Sequence, residues 1–304
     1  MKTFQNINRT FVIIILSAAV LLIVATLVSF SAQKQKPPRE AISSALVDLS
    51  SVKSKNVNLN FIVQSNASNN SSRYSLNLKG IAERRTEDEF AFDGTGNVGI
   101  RKKGIELIIS FFLRSINGAN YFNFKELPAS KKVTDVLVGK WVEASQEWNN
   151  KISVKSSDME PIINKITSPE ILKSADWKGA DNVQGVSADK YDLGLDKEKL
   201  KAYLGEIEKD NEKQPIKNSA YNLKNLLESY DLQDTSVWVK KNSNELLRVK
   251  GDFKSKKDDQ STVTFDLMLS SLSGNSQPSI ERPSEIQKID KPDAIYRLIF
   301  LGSS

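Results

Sequence analysis

Residues 105–124 read IELIISFFLRSINGANYFNF, two apolar segments around one turn signal. Ile105, Leu107, Ile109, Phe111 and Leu113 recur at every second position, the period with which a strand sends one set of side chains to one face. Ile108 and Phe112 add apolar side chains on the other face, which predicts a strand covered on both sides. Asn117-Gly118 is the residue pair that tolerates the positive φ of a tight hairpin turn, and Ala119–Phe124 follows as the return strand. Strands joined by so short a turn run antiparallel, so the stretch reads as part of a meander.

The same period extends outward in both directions. Val57, Leu59, Phe61 and Val63 alternate with Asn58, Asn60 and Ile62, and Tyr74, Leu76 and Leu78 repeat the pattern after the polar loop 64–72. Asn66-Ala67-Ser68 and Asn70-Ser71-Ser72 in that loop match glycosylation acceptors, a match that Asn/Ser-rich loops produce often by chance. Further strands are predicted at Glu89–Asp93 and Lys140–Ser145, a hairpin or strand pair over Val183–Leu195, and strands at Ser236–Lys240, Leu246–Phe253 and Thr262–Ser271. Helical period appears at Arg39–Ser51, Asp158–Ile166, Pro169–Ser174, Asp196–Asp210 and about Ala220–Tyr230. Helix 196–210 places Leu200, Tyr203, Leu204 and Ile207 on one face, and the next carries Leu223, Leu226 and Leu227. The expectation is an α+β chain with a curved antiparallel sheet and several helices packed on it.

Phe11–Phe30, FVIIILSAAVLLIVATLVSF, holds twenty residues without a charge. A helix of that length spans about 30 Å, the thickness of a bilayer's hydrocarbon core. A cleaved signal peptide has a shorter apolar region and a small-residue exit, whereas Phe30-Ser31-Ala32 presents a bulky ring there. The stretch therefore reads as an uncleaved anchor. The chain divides into a cytoplasmic tail (1–10), a transmembrane helix (11–30), a linker (31–38) closed by Pro37-Pro38, an extracytoplasmic half-barrel-like domain (39–290) and a C-terminal tail (291–304).

Composition removes function classes. The 304 residues include no cysteine and no histidine, which takes away disulfides, an acylated Cys, imidazole catalysis and His/Cys zinc sites. The formal charge of +6 falls to +4 once Lys2 and Arg9 before the anchor are set aside, since 43 − 2 basic residues stand against 37 acidic ones. That is no nucleic-acid footprint. Gly94-Thr95-Gly96-Asn97-Val98-Gly99 satisfies a dinucleotide fingerprint, but Gly104 interrupts the helix such a site needs, and hairpin or bulge glycines explain the run better. Glu87-Asp88-Glu89 and Lys256-Lys257-Asp258-Asp259 read as solvated turns. No cofactor, no metal and no reaction is expected.

The order of elements also resembles a family. Tyr121-Phe122-Asn123-Phe124 precedes Gly139-Lys140-Trp141-Val142, helices follow from Asp196, and Ser236-Val237-Trp238-Val239-Lys240 leads into Leu246-Leu247-Arg248-Val249. This is similar to the LolA/LolB and LppX/LprG-like lipoprotein carriers, over most of residues 39–285. The resemblance implies an antiparallel half-barrel around an apolar cavity closed by helices. Leu59, Phe61, Leu76, Leu78, Phe111, Phe122 and Trp141 would line it, and a lipid or other apolar ligand would fill it. The partners expected are a bilayer, that ligand and an envelope protein. The other reading is a membrane-displayed module with a packed core that binds a protein or envelope polymer. An enzyme built on a carboxylate pair comes third.

Overall fold

The period-two segments form one antiparallel sheet of eleven strands. The computed structural model describes residues 54–67, 70–86, 90–102, 104–116, 119–128, 131–144, 165–166, 168–210, 214–241, 243, 245–256, 261–272 and 279–287. Strands β1 (Ser54–Ala67), β2 (Asn70–Arg84), β3 (Phe90–Lys102), β4 (Ile105–Ile116), β5 (Ala119–Glu126) and β6 (Trp141–Glu143) follow one another as a meander. A short helix, α1 (Lys131–Leu137), stands between β5 and β6. The second half runs β7 (Leu172–Val183), β8 (Val186–Leu195), helices α2 (Lys197–Asp210) and α3 (Gln214–Ser229), then β9 (Tyr230–Lys240), β10 (Leu246–Ser255) and β11 (Thr262–Ser271).

The strand order is β6-β5-β4-β3-β2-β1-β11-β10-β9-β8-β7. Each half is thus a run of neighbours, and the halves meet at one seam where β1 pairs with β11 from Lys55↔Ser271 to Gln64↔Thr262. Alternation gives the sheet two unlike faces. On the inner face Val57, Leu59, Phe61, Leu76, Leu78, Phe111, Phe124, Val237, Leu246 and Leu267 share one buried cluster with Leu200, Leu204, Ile216 and Leu227 of the two long helices. Each fully buried aliphatic or aromatic side chain of this kind contributes about 1.5–3 kcal/mol.

The outer face carries two small satellites. Val183, Ala188, Trp238 and Leu247 form one, where Arg248 lies 4.7 Å from the Trp238 ring and pairs with Asp266. Ala91, Ile116 and Ile280 form the other. Residues 279–287 strap across this second patch. The Ile280 amide donates to Glu83, Arg114 donates to the Glu281 carbonyl at 2.9 Å, Arg282 pairs with Glu143, and the Gln287 amide donates to the Trp141 carbonyl at 2.8 Å.

Several sequence expectations change. Pro169–Ser174 is a turn leading into β7 rather than a helix. Its residues pair with β8 from Leu172↔Leu195 onward, so cross-strand pairing overrides a weak helical signal. Strand Glu89–Asp93 runs on through the glycines to Lys102, and Gly94, Gly96 and Gly99 stand in continuous ladders to β2 and β4, in neither a hairpin nor a bulge. β4 is not covered on both sides, since Ile108 and Phe112 are exposed on the outer face. The anchor Phe11–Phe30, the helix Arg39–Ser51, most of Asp158–Ile166 and the tail 291–304 lie outside the described residues. Among the described residues no helix is long and apolar enough to cross a membrane.

Candidate apolar site on the inner face

The seven residues named from sequence separate cleanly by face. Leu59↔Leu78, Leu78↔Gly96, Gly96↔Phe111 and Phe111↔Phe124 make one cross-strand row over five strands. Phe61↔Leu76 is the adjoining row, and Phe122, opposite Leu113, lies on the same face. Residues directly opposite in an antiparallel pair share a face. Six of the candidates are therefore brought together on the inner face. Trp141 is not. It stands opposite Asn123 and packs on the outer side with Phe112, ring centroids 6.5 Å apart, under the Arg114 guanidinium.

The aromatic corner has a defined geometry. Phe111 meets Phe122 edge-on at 5.7 Å and Phe124 at 6.4 Å, while Phe122 and Phe124 stack at 6.2 Å. Such offsets match the ring quadrupole's preference. Bare glycine backbone makes room for the rings. A Cβ on Gly96 would stand 2.3 Å from Phe111 Cζ, and one on Gly251 2.2 Å from Phe265 Cε1. Cross-strand rings over glycine recur in both halves of the sheet.

Around the buried centre of the inner face, other inward side chains are less completely covered. Val63, Val98, Leu113, Phe122, Val249 and Phe265 all point inward and touch the core, yet each stays half-buried. Leu223 and Leu226 of α3 do the same from the helix side. On β4 the inward stripe opens progressively: Ile109 is 2% exposed, Leu107 42% and Ile105 67%. The apolar track thus runs from the buried middle of the sheet to the end where β3 turns into β4.

Polar groups near this face are few. Burial pushes the Tyr74, Tyr191 and Tyr203 hydroxyls up from the ordinary phenol range. Asn222 on α3 is buried, and its Nδ2 has no hydrogen-bond partner among the described residues. A buried donor left unmatched costs about 1–3 kcal/mol.

At the opposite end of the seam, Lys55 is 2% exposed and pairs with Glu245 at 3.2 Å, as does Lys240. Burial alone would raise the Glu245 carboxyl, but the Ser271 hydroxyl together with Lys55 and Lys240 outweighs it and holds the group below its ordinary value. Among the described residues no group of three or more carboxylates gathers as a metal site would need.

Sequence reasoning missed Asn222 and the strap 279–287. It saw the apolar stripe of α3 but had no means of placing it over the sheet. Trp141 was misassigned because a three-residue strand carries too little period to tell one face from the other.

No protein-family model and no curated protein matches this sequence. Among solved structures the chain is similar to LprF from Mycobacterium bovis, at 13% identity over 81% of this chain and 96% of that one, with a TM-score of 0.44. It is also similar to a domain described as an outer membrane lipoprotein-sorting protein from Vibrio parahaemolyticus, at 10% identity, 73% and 87% coverage and a TM-score of 0.23. A LolA superfamily protein from Nitrosomonas europaea matches at 7% identity, 80% and 96% coverage and a TM-score of 0.20. At these identities and TM-scores the likenesses carry no argument, and the functional reading rests on the residues of this chain.

Proposed function

We propose that this protein holds a lipid or other apolar ligand between the inner face of its sheet and helices α2 and α3, the sheet acting as a half-barrel. One observation carries the reading. Inward-facing Val98, Leu113, Phe122, Val249 and Phe265 are half-buried where a packed core would bury them. Leu59, Phe61, Leu76, Leu78, Phe111 and Phe122 supply dispersion and apolar burial, with no chemistry. The same half-buried row weighs against the reading of a solid-cored interaction module.

In this proposal Phe11–Phe30 is a single-pass anchor and the domain stands outside the cytoplasm, tethered by the linker 31–38. The ligand is held rather than transformed. The test is native mass spectrometry and solvent extraction of residues 39–304 prepared without detergent. A lipid-sized adduct that extraction releases is expected. A compact domain that takes up neither endogenous nor added lipid sinks the proposal.

A further inference from the structure

We propose that the β3–β4 end of the sheet docks on an anionic phospholipid bilayer surface. The proposal deepens the reading of the inner face as a lipid site and rests on it for its purpose, since docking places the open end of the apolar track against a lipid source. Its physics stands on the surface of this one hairpin.

Among the described residues seven large apolar side chains are exposed, and four of them, Ile105, Leu107, Ile108 and Phe112, belong to β4. Scattered exposed aliphatics are ordinary, but a cluster within eight residues of one strand marks a contact surface. Ile105 and Leu107 lie on the inner face at the hairpin end and Ile108 on the outer face beside the Arg101–Glu106 pair, with Phe112 further along the outer face of β4. An edge meeting one protein partner needs one apolar side, whereas a tip dipping into a lipid interface benefits from both.

Charge selects the kind of surface. Arg73 and Arg101 stand opposite each other on neighbouring strands, and Lys102 stands opposite Ile105. Lys125 places its ammonium 3.8 Å from the Phe112 ring, and Lys79 sits two strands from Phe112 in the same cross-strand row. Against these five cations the same region holds two carboxylates, Glu106 and Glu126. Long basic side chains keep their charge among phosphates while their stems lie along apolar groups, and anionic leaflets attract such clusters. The side chains enter the interface while the backbone stays at headgroup depth, so no sheet edge is forced into hydrocarbon. Ser54, where the described chain begins, lies at the other end of β1 from this tip.

The absence of cysteine makes a single introduced thiol a unique label. The experiment uses the full chain in phosphatidylcholine nanodiscs, with an environment-sensitive dye on Ile105→Cys, Ile108→Cys or Ser187→Cys. Ser187 is exposed near the turn between β7 and β8. Vesicles carrying a lipid-attached quencher are added, either phosphatidylcholine alone or with phosphatidylglycerol. Dyes at 105 and 108 are expected to shift blue and be quenched several-fold more by the anionic vesicles, while the dye at 187 stays in water. The pair Arg73→Glu with Arg101→Glu, or high salt, abolishes the difference. No quenching at the tip, equal quenching by both vesicles, or equal quenching at 187 overturns the proposal. Native mass spectrometry of the same sample separates the two readings. Bound lipid without tip quenching sinks docking alone, and tip quenching without bound lipid sinks the inner-face site alone.

Discussion

Gly94 and Gly99 lie in the same glycine-rich string and are predicted to respond differently to alanine. A Cβ on Gly94 would stand 2.4 Å from the Lys79 carbonyl oxygen and 2.8 Å from Gly80 Cα, both backbone atoms that cannot swing away. Gly94→Ala is expected to cost about 2 kcal/mol in urea unfolding. At Gly99 the nearest atom is Ser75 Oγ, the end of a side chain that can rotate. Gly99→Ala should stay within about 0.5 kcal/mol of the parent. Equal costs would mean that close strand approach does not explain Gly94. A second residue-scale prediction concerns Glu245, which is 16% exposed beside the nearly buried Lys55. Glu245→Gln removes the carboxylate and leaves the lysine's charge in the seam, for an expected loss of about 3 kcal/mol. Because the folded carboxyl is held low, its stabilisation is complete above the unfolded value near 4.3 and is lost as pH falls through the folded value. The Tm gap between parent and Glu245→Gln should therefore be widest near neutrality and narrow in acid. A gap that does not change with pH would rule out this account.

At the scale of elements the strap 279–287 is the part whose removal should be most selective. Ile280 seals Ala91 and Ile116 on the outer face, and the residues after it bind β4 and β6 through Arg114, Glu143 and Trp141. Ile280→Asp puts a carboxylate into that apolar seat. Amide exchange in β5 and β6 should quicken about tenfold or more while β9 and β10 keep their protection, as local opening predicts. Uniform acceleration across the sheet would show that the strap holds the whole fold and not one edge.

The elements also show what sequence carries and what it does not. Asp196 opens α2 as its composition indicated, with Oδ1 accepting from the Lys199 amide at 3.1 Å, a local bond that local sequence specifies. The common face of Leu59, Phe61, Leu76, Leu78, Phe111 and Phe122 was legible because strict alternation fixes a face over a long strand. The polar first half of β9, from Tyr230, was not, because its side chains are mostly solvent-exposed and carry no apolar period. β3 was cut short because glycines usually punctuate strands, whereas here they accommodate the rings of Phe92 and Phe111.

At the scale of the molecule the seam between β1 and β11 is what local sequence cannot announce. Every other neighbouring pair joins strands that are close in the chain or separated by the two-helix connection, whereas β1 and β11 are the first and last strands described. Closing so long a loop costs conformational entropy before any contact rewards it. The two meanders are therefore expected to form first and the seam last. Leu267 is fully buried there, opposite Leu59 on one side and Val249 on the other. Leu78, also buried, packs within the local β1–β2–β3 meander. Leu→Ala at either site should remove about 3 kcal/mol at equilibrium. The kinetics should differ. Leu267→Ala is expected to speed unfolding and leave the folding rate nearly unchanged, because its contacts are absent from the transition state. Leu78→Ala should slow folding by a larger share of its total effect. Chevron plots of the two variants decide the order of assembly. A folding arm that falls for Leu267→Ala as much as for Leu78→Ala would place the seam in the nucleus, with the first and last strands meeting before either half is complete.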